Sequence, residues 1–408
     1  MKSGRNGPAA PAPAPMARPA LDIHAARGCA LAQQRYTWRD LVQKPISKLD
    51  DDAFTRVRVI LMHSVEQEAL RFQHMAARVN GALRLPLAQV RRSEQHQATM
   101  INWLLGADHS PLETTIAYQQ TAIEATAAIA EAEPDTYVAQ VCRFALLDHV
   151  DHLYRYSALL DRLEGKDANN ILQSYTDILP GRPTALGHRA PQDDLRTPYD
   201  RATALPVTKL HMLTLAGFED QARHFYMATG PLFSDPVARQ LYAEIASIAE
   251  QQVTQYTSLA DPDQTWLEQW LLHEANEVYH YHACVEQESN HHLKAIWERF
   301  LDYELGHFHL VGDLMKRYEK RDPAELVPAT LPAPLELRGH RAFVQRVLAH
   351  ELNLRAHGSR FVAKEDESAQ SRLYRAAING DGSPSETVAA GYAWVPGTEL
   401  NRMLIAVN

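Results

Sequence analysis

The stretch that decides the fold is WERFLDYELGHFHLVGDLMKRY, residues 297–318. Large apolar side chains recur in it at spacings of three and four residues, which predicts an amphipathic helix with one face in a core. Glu304 and His307 interrupt that apolar line and lie one turn apart on the same helix face. A lone carboxylate inside a core is costly unless it is paired, neutralised or bound to a metal. The stretch therefore predicts a helix bundle with a polar site in its interior.

The segment before it, residues 266–284, has the same pattern with Glu277 and His280 three residues apart. In antiparallel helices, residues equally far from the connecting turn lie at the same height. Glu277 and Glu304 satisfy that condition, and Glu219 on an earlier helix lies at a similar distance from its own turn. We therefore expect these three carboxylates to meet at mid-bundle, with His280 and His307 as imidazole ligands of a metal.

Proline-rich breaks divide the rest of the chain. Residues 51–165 and 208–322 are each expected to form four helices whose short loops make neighbours antiparallel. Residues 1–50 are expected to be a disordered tail and lead-in, residues 166–207 a Pro-rich connector, and residues 323–408 a linker, one helix and a C-terminal tail. The expected fold is all-α: two tandem up-down four-helix bundles with a small C-terminal appendage.

The first of these blocks also carries polar residues on its apolar stripes. The candidate ligands there are Glu66, Glu94, Glu124, Asp148 and His152. In Glu94-x-x-Gln97 an amide stands where a Glu-x-x-His pair would have its imidazole. We expect a second site in this block, and we expect the block from 208 to 322 to bind metal more tightly because it has more imidazoles.

This layout resembles the ferritin-like superfamily of diiron and dimanganese carboxylate proteins, as a tandem pair over residues 55–320. In that family two helices supply one Glu each and two supply a Glu-x-x-His pair. The resemblance implies a two-metal centre of iron or manganese, and a non-haem oxidoreductase that uses O₂ or peroxide on an unknown substrate. The second helix of the later block departs from the pattern, with Ala249 and Gln252 at the expected Glu and His positions.

These departures keep a second hypothesis open. One or both bundles could have lost metal and serve as a non-catalytic helical scaffold or partner-binding protein. Under that hypothesis the acids of the first block are satisfied by Arg71, Arg143 or water. Iron storage is a third, weaker hypothesis, because cage-forming ferritins are single bundles.

Composition excludes several other classes. The net charge of −9 gives no basic footprint for nucleic acid, and no apolar run is long enough to span a membrane. The three cysteines are far apart and odd in number, which favours a reducing, cytoplasmic setting. No nucleotide-binding, serine-nucleophile or zinc-protease motif is found. A homodimer is compatible with the sequence. The sequence does not indicate an electron donor.

Overall fold

The computed structural model describes residues 21–49 and 51–398, and over these residues the chain is predominantly helical. The helices are α1 (Trp38–Leu41), α2 (Ala53–Val79), α3 (Arg84–Asn102), α4 (Pro111–Ala132), α5 (Thr136–Glu164), α6 (Asn169–Leu172), α7 (Thr184–Gly187), α8 (Pro206–Thr229), α9 (Pro236–Thr257), α10 (Trp266–Gln287), α11 (His291–Tyr318), α12 (Arg341–Glu351), α13 (Ala369–Ile378) and α14 (Pro384–Ala389). Strands β1 (Arg355–His357) and β2 (Arg360–Val362) form one antiparallel hairpin. The all-α prediction is confirmed at this level. No helix in the described part of the chain is long and apolar enough to cross a membrane.

Side-chain caps fix where the long helices begin. Ser110 Oγ accepts from the amide of Glu113, whose carboxylate accepts in return from the amide of Ser110. Thr265 and Glu268 form the same reciprocal pair at the start of α10. Each pair satisfies amides that the first helical turn leaves unbonded, an effect of about 1 kcal/mol. These caps fix the residue at which each helix begins, and the buried apolar face determines which residues point inward.

The eight long helices pair as hairpins: α2 with α3, α4 with α5, α8 with α9, and α10 with α11. The first and last hairpins share an apolar core that includes Met62, Ile101, Tyr281 and Trp297, and we call these four helices the terminal group. The other four helices are the central group, joined for example by the hydroxyls of Thr115 and Tyr242, 2.6 Å apart. A larger continuous core connects the two groups through α2, α4, α8 and α10.

The hairpins therefore combine across the blocks that the sequence pattern defined. Residues 51–165 and residues 208–322 each supply one hairpin to the terminal group and one to the central group. Short loops determine which helices form a hairpin. The packing of one hairpin against another depends on the shapes of their apolar faces. Periodicity along the chain does not predict those shapes.

Residues 21–49, for which the sequence predicts only a lead-in, are packed against the bundle. Ile23 is fully buried, and its amide donates to the carbonyl of Ala329. The amide of Cys29 donates to the carbonyl of Asp302 on α11. The expected disorder of residues 1–19 falls outside the described residues.

Two glycines allow this close approach. A Cβ atom on Gly306 would overlap the carbonyl oxygen of Cys29, and Gly28 has a φ of +64°, which favours glycine. The segment from Gly28 to Tyr36 crosses α11 at this point, and we call it the strap.

The connector and the C-terminal region also contribute buried polar groups. The connector, residues 166–207, contains α6 and α7 and buries Arg182 and His188. The linker after α11 brings His340 into the interior, and α14 packs against α9. These segments therefore complete the interior of the central group.

Candidate metal centre

Five carboxylates and one imidazole meet inside the terminal group, and they come from all four of its helices. We call this set the acidic cluster. It consists of Glu66 (α2), Glu94 (α3), Glu274 and Glu277 (α10), and Glu304 and His307 (α11). One ligand atom from each of Glu94, Glu274, Glu304 and His307 lies within 4.8 Å of the others. None of the six residues is more than 1% exposed.

Gln97 links the acids of α2 and α11. Its amide nitrogen lies 2.5 Å from Glu304 Oε1 and 3.0 Å from Glu66 Oε1, and donates to both. The hydroxyl of Tyr281 also donates to Glu66 Oε1. The hydroxyl of Tyr36 donates to the amide oxygen of Gln97 over 2.9 Å, which turns the amide nitrogen toward the cluster.

The acids of α3 and α10 have neutral donors as well. Gln73 Nε2 lies 2.6 Å from both oxygens of Glu94, and Trp270 Nε1 lies 2.5 Å from Glu274 Oε1. Amide, indole and phenol groups carry no net charge, so these hydrogen bonds orient the carboxylates without neutralising them.

Several buried carboxylate oxygens have no hydrogen-bond partner in the described chain. They are both oxygens of Glu277, Oε2 of Glu66 and Oε2 of Glu274. Within residues 21–49 and 51–398, no lysine or arginine forms an ion pair with the five carboxylates, and His307 is their nearest basic group. Buried acid oxygens without a partner are costly unless a cation or a proton neutralises them.

The pKa values of the cluster are shifted by its burial and by the closeness of its acids. Burial, followed by repulsion from neighbouring acids, raises the pKa of Glu66, Glu274 and Glu277 well above the ordinary range. The same causes raise the pKa of Glu94 to about 8. Burial alone would lower the pKa of His307, but the adjacent Glu304 raises it overall. Without a bound cation, the site therefore favours protonated carboxyls.

Gln34 in the strap fixes the orientation of His307. The amide nitrogen of Gln34 donates to the carbonyls of Cys29 and Tyr303, so its oxygen is the acceptor for Ser93 Oγ at 2.5 Å and for His307 Nε2 at 3.0 Å. His307 Nε2 therefore carries a hydrogen. Nδ1 points into the cluster, 2.9 Å from Glu304 Oε2. A second-shell acceptor of this kind is the usual support for a metal-binding imidazole.

Five of the residues singled out in the sequence lie in this cluster. They are Glu66, Glu94, Glu277, Glu304 and His307. The expected convergence of Glu277 and Glu304 is present, but their neighbours come from α2 and α3. Glu274 was missed although it lies one turn before Glu277 on the same apolar stripe, and that position was the available signal. Gln34 gave no signal because the strap has no helical period.

Two of the five other candidates, Glu219 and His280, lie apart from the acidic cluster. Glu219 Oε1 is 2.9 Å from His149 Nε2 in the central group, without the angle of a hydrogen bond. His280 Nε2 is 2.6 Å from the hydroxyl of Thr214, on the side of α10 that faces α8. The expectation that Glu219 and His280 lie beside Glu304 is therefore wrong. Glu219 lies on α8 in the central group, and His280 lies on the face of α10 that contacts α8.

Glu124 is fully satisfied by segments outside the eight long helices. The Thr176 hydroxyl donates to Oε1 at 2.6 Å, and the amide of His340 donates to Oε2 at 2.9 Å. The His340 ring nitrogen Nδ1 also lies 3.0 Å from Oε2. These partners leave Glu124 no free oxygen for a shared metal with Glu66 and Glu94.

Asp148 is paired with arginine from the connector. Arg182 donates through Nε at 2.9 Å and Nη2 at 2.7 Å to the two carboxylate oxygens, and Arg189 Nη1 lies 3.8 Å away. Burial would raise the pKa of Asp148, but these guanidinium groups, Arg182 above all, lower it. His152 is one turn away with Nε2 unpartnered, and burial lowers its pKa to about 3. We call Asp148, His152 and Arg182 the arginine-paired cluster.

The sequence hypothesis named other arginines for this role. Arg71 instead lies near Glu68 and Asp220, and Arg143 pairs with Glu351. A single metal site formed by the five candidates of the first block is therefore wrong, since two lie in the acidic cluster and three in the central group.

The acidic cluster fits a pair of hard divalent cations. Carboxylate oxygens with one imidazole suit iron or manganese and disfavour soft metals. Glu277, Glu66 and Glu274 offer buried oxygens with nothing else to bind. The arginine-paired cluster does not fit a cation, because Arg182 already supplies the positive charge. Comparison of the chain with protein-family models, curated proteins and solved structures finds no match.

Proposed function

We propose that the acidic cluster holds a two-metal centre of iron or manganese, and that the protein is a non-haem carboxylate oxidoreductase that uses O₂ or peroxide. One observation carries the proposal: five carboxylates are buried together, their donors are neutral, and four of their oxygens have no partner. Two divalent ions would offset four of the five negative charges. That would remove most of the cost of burying the acids.

The order of ligands supports a ferritin-like centre formed by the terminal group. Helix α2 supplies Glu66, α3 supplies Glu94-x-x-Gln97, α10 supplies Glu277, and α11 supplies Glu304-x-x-His307. This is the family layout, with Gln97 in place of one imidazole and Glu274 as an additional acid. Under this proposal the two bundles are the terminal group and the central group inserted into it along the chain, and the central group has lost its metal.

The residues around the cluster have separate roles. Glu66, Glu94, Glu274, Glu277, Glu304 and His307 would hold the ions. Gln34 keeps the hydrogen of His307 on Nε2, and Gln97 keeps Glu66 and Glu304 turned toward each other. The hydroxyl of Tyr281 can pass its proton to Glu66 or take it back. Bound iron or manganese would supply electrons in pairs to an oxidant.

A non-catalytic scaffold is the second candidate. It is favoured by Gln97, whose amide nitrogen bonds two of the acids directly and so partly replaces a cation. Under this alternative the remaining carboxyls of the cluster are protonated. The chain would then purify without metal and stay metal-free after incubation with Fe(II) or Mn(II).

The test is the metal-to-protein ratio of the full chain after anaerobic loading with Fe(II) and removal of free metal. We expect roughly two ions per chain, together with a new near-ultraviolet band when air is admitted. Glu304→Ala and Glu277→Ala should lose most of the metal. Glu124→Gln is the matched control, since Glu124 is equally buried but already partnered, and it should keep the wild-type ratio.

Two outcomes would contradict the proposal. One is a wild-type chain that retains no iron or manganese. The other is a folded Glu304→Ala variant, verified by circular dichroism, whose metal content equals that of the wild type.

A further inference from the structure

An open cavity of about 890 Å³ lies between the strap, α3 and α11. Leu31, Arg35, Arg92, His96 and Leu310 are among the residues that line it. Its volume is within the range of small-molecule sites. It lies on the outer side of the residues that support the acidic cluster.

One layer of side chains separates this cavity from the cluster. Gln34, Tyr36 and Ser93 line the cavity, and each also belongs to the hydrogen-bond network of the cluster. Gln34 Oε1 accepts from His307 Nε2, and the Tyr36 hydroxyl donates to Gln97. A molecule in the cavity would therefore contact the groups that orient the ligands on α3 and α11.

The cavity has a positive lining in a chain of net charge −9. No aspartate or glutamate lies among its lining residues. Arg35 Nη1 bonds to the backbone carbonyls of Ala32 and Gln34, and in the described chain neither Arg35 nor Arg92 forms an ion pair with an acid. Both guanidinium groups are therefore available to an anion, and a guanidinium matches a carboxylate in two parallel hydrogen bonds.

The remaining wall of the cavity is aliphatic. It is formed by Ala30, Leu31, Ala88 and Leu310, and Leu310 lies one turn after His307 on α11. A ligand that satisfies both walls has a carboxylate at one end and an aliphatic chain at the other. We propose that the cavity binds an aliphatic carboxylic acid, next to the side chains that orient the acidic cluster.

The experiment is calorimetric titration of the full chain with octanoate, with and without bound metal. We expect saturable binding of octanoate, and binding at least tenfold weaker for octylammonium and for propionate, which lack the charge or the chain length. Arg92→Gln should weaken octanoate binding at least tenfold. Arg78→Gln, an exposed arginine outside the cavity, is the matched control and should bind octanoate like the wild type.

A second variant tests the location without touching the arginines. Ala88 is exposed on α3, so Ala88→Trp should leave the fold intact while filling the cavity and abolishing octanoate binding. Unchanged octanoate binding in both Arg92→Gln and Ala88→Trp would overturn the assignment. So would equal binding of octanoate and octylammonium, or binding of phosphatidylglycerol vesicles in place of soluble octanoate.

Measuring octanoate binding and metal binding separately shows whether the cavity assignment or the proposed function has failed. If the chain binds metal but not octanoate, the cavity assignment is wrong and the metal centre stands. If metal-free protein binds octanoate in an Arg92-dependent way but never takes up metal, the cavity assignment stands and the oxidoreductase proposal is wrong.

Discussion

The acidic cluster and the arginine-paired cluster are both buried inside their groups of helices, but their hydrogen-bond partners differ in charge. In the central group, Arg182 from the connector meets Asp148 with two hydrogen bonds. In the terminal group the strap contributes the neutral Gln34, whose side-chain oxygen accepts from His307. The carboxylate of Asp148 therefore has a cationic partner, whereas the acids of the acidic cluster have neutral donors.

This difference determines whether removing a charge stabilises or destabilises the protein. Removing charge from the arginine-paired cluster breaks a pair that is already complete. Removing charge from the acidic cluster relieves repulsion in the metal-free protein but removes a ligand from the metal-loaded one. Each of the following predictions tests that contrast.

The largest effect is expected for Arg182→Met. Asp148 would be left as a buried charge without its partner, which typically costs about 3–5 kcal/mol in the free energy of unfolding. Chemical denaturation measures this loss. Arg143→Met, which breaks a half-exposed pair with Glu351, should cost about 1 kcal/mol or less. The double variant Arg182→Met/Asp148→Asn should recover part of the stability, and no recovery would mean that packing of Arg182, not its charge, matters.

Next comes Gln34→Ala, which removes the acceptor of the His307 ring hydrogen. Loss of such a supporting partner typically weakens metal binding about 10–100-fold. Competition with a chelator measures the affinity for Mn(II). The neighbouring Gln33→Ala is the control, because Gln33 is exposed and touches no ligand of the cluster. Equal affinities of the two variants would show that the strap does not orient the imidazole.

Glu277→Gln should change stability in opposite directions with and without metal. Both oxygens of Glu277 are buried and unpartnered, so an uncharged amide should stabilise the metal-free protein by about 1 kcal/mol or more at pH 8. The same variant should lower the melting temperature of the metal-loaded protein. Asp148→Asn should destabilise both forms. A Glu277→Gln variant less stable than wild type in the metal-free state would contradict this account of the cluster.

The smallest effect is a pH dependence. Glu94 has a pKa of about 8 in the fold against an ordinary value of 4.5, so the folded state holds a proton that the unfolded chain releases. Stability is therefore lost as the pH rises from about 4.5 toward 8. Buried histidines such as His280 act oppositely below pH 6.5, so each variant is compared with wild type at the same pH.

In the metal-free protein, the stability of wild type relative to Glu94→Gln should fall between pH 5 and pH 8. The same difference for Asp148→Asn should stay level, because the pKa of Asp148 is lowered from 3.8 and its contribution is lost only in acid. Thermal unfolding at three pH values measures both. If the stability difference between wild type and Glu94→Gln does not change with pH either, Glu94 titrates normally.

The helical class of the fold was predictable from apolar periodicity and from the proline-rich breaks between helices. The apolar stripe around Glu304 and His307 predicted an inward face, and both side chains are fully buried. Glu277 and Glu304 are equally far from the turn between their helices, and this correctly predicted that they lie side by side. These features are local, since they depend on the helical repeat and on one hairpin loop.

What periodicity could not predict is which hairpins pack together and what crosses them. Glu66 and Glu94 joined the acids of α10 and α11 because the first and last hairpins share a core, whereas Glu219 stayed in the central group. Gln34 and Arg182 come from irregular segments, where no repeat relates sequence position to direction. The sequence therefore predicted most of the acids, but it did not predict the roles of Gln34 and Arg182.

The pairing of the first hairpin with the last has a consequence for how the protein is made. Gln97 and Glu304, which share a hydrogen bond, are 207 positions apart. At about 5–20 residues per second of synthesis, α3 waits roughly 10–40 s for α11 to follow it out of the ribosome. A nascent chain therefore presents Glu66 and Glu94 without their partners for most of its synthesis. A chain cut short before α11 would lack Glu304 and His307 and would hold only the other four residues of the acidic cluster.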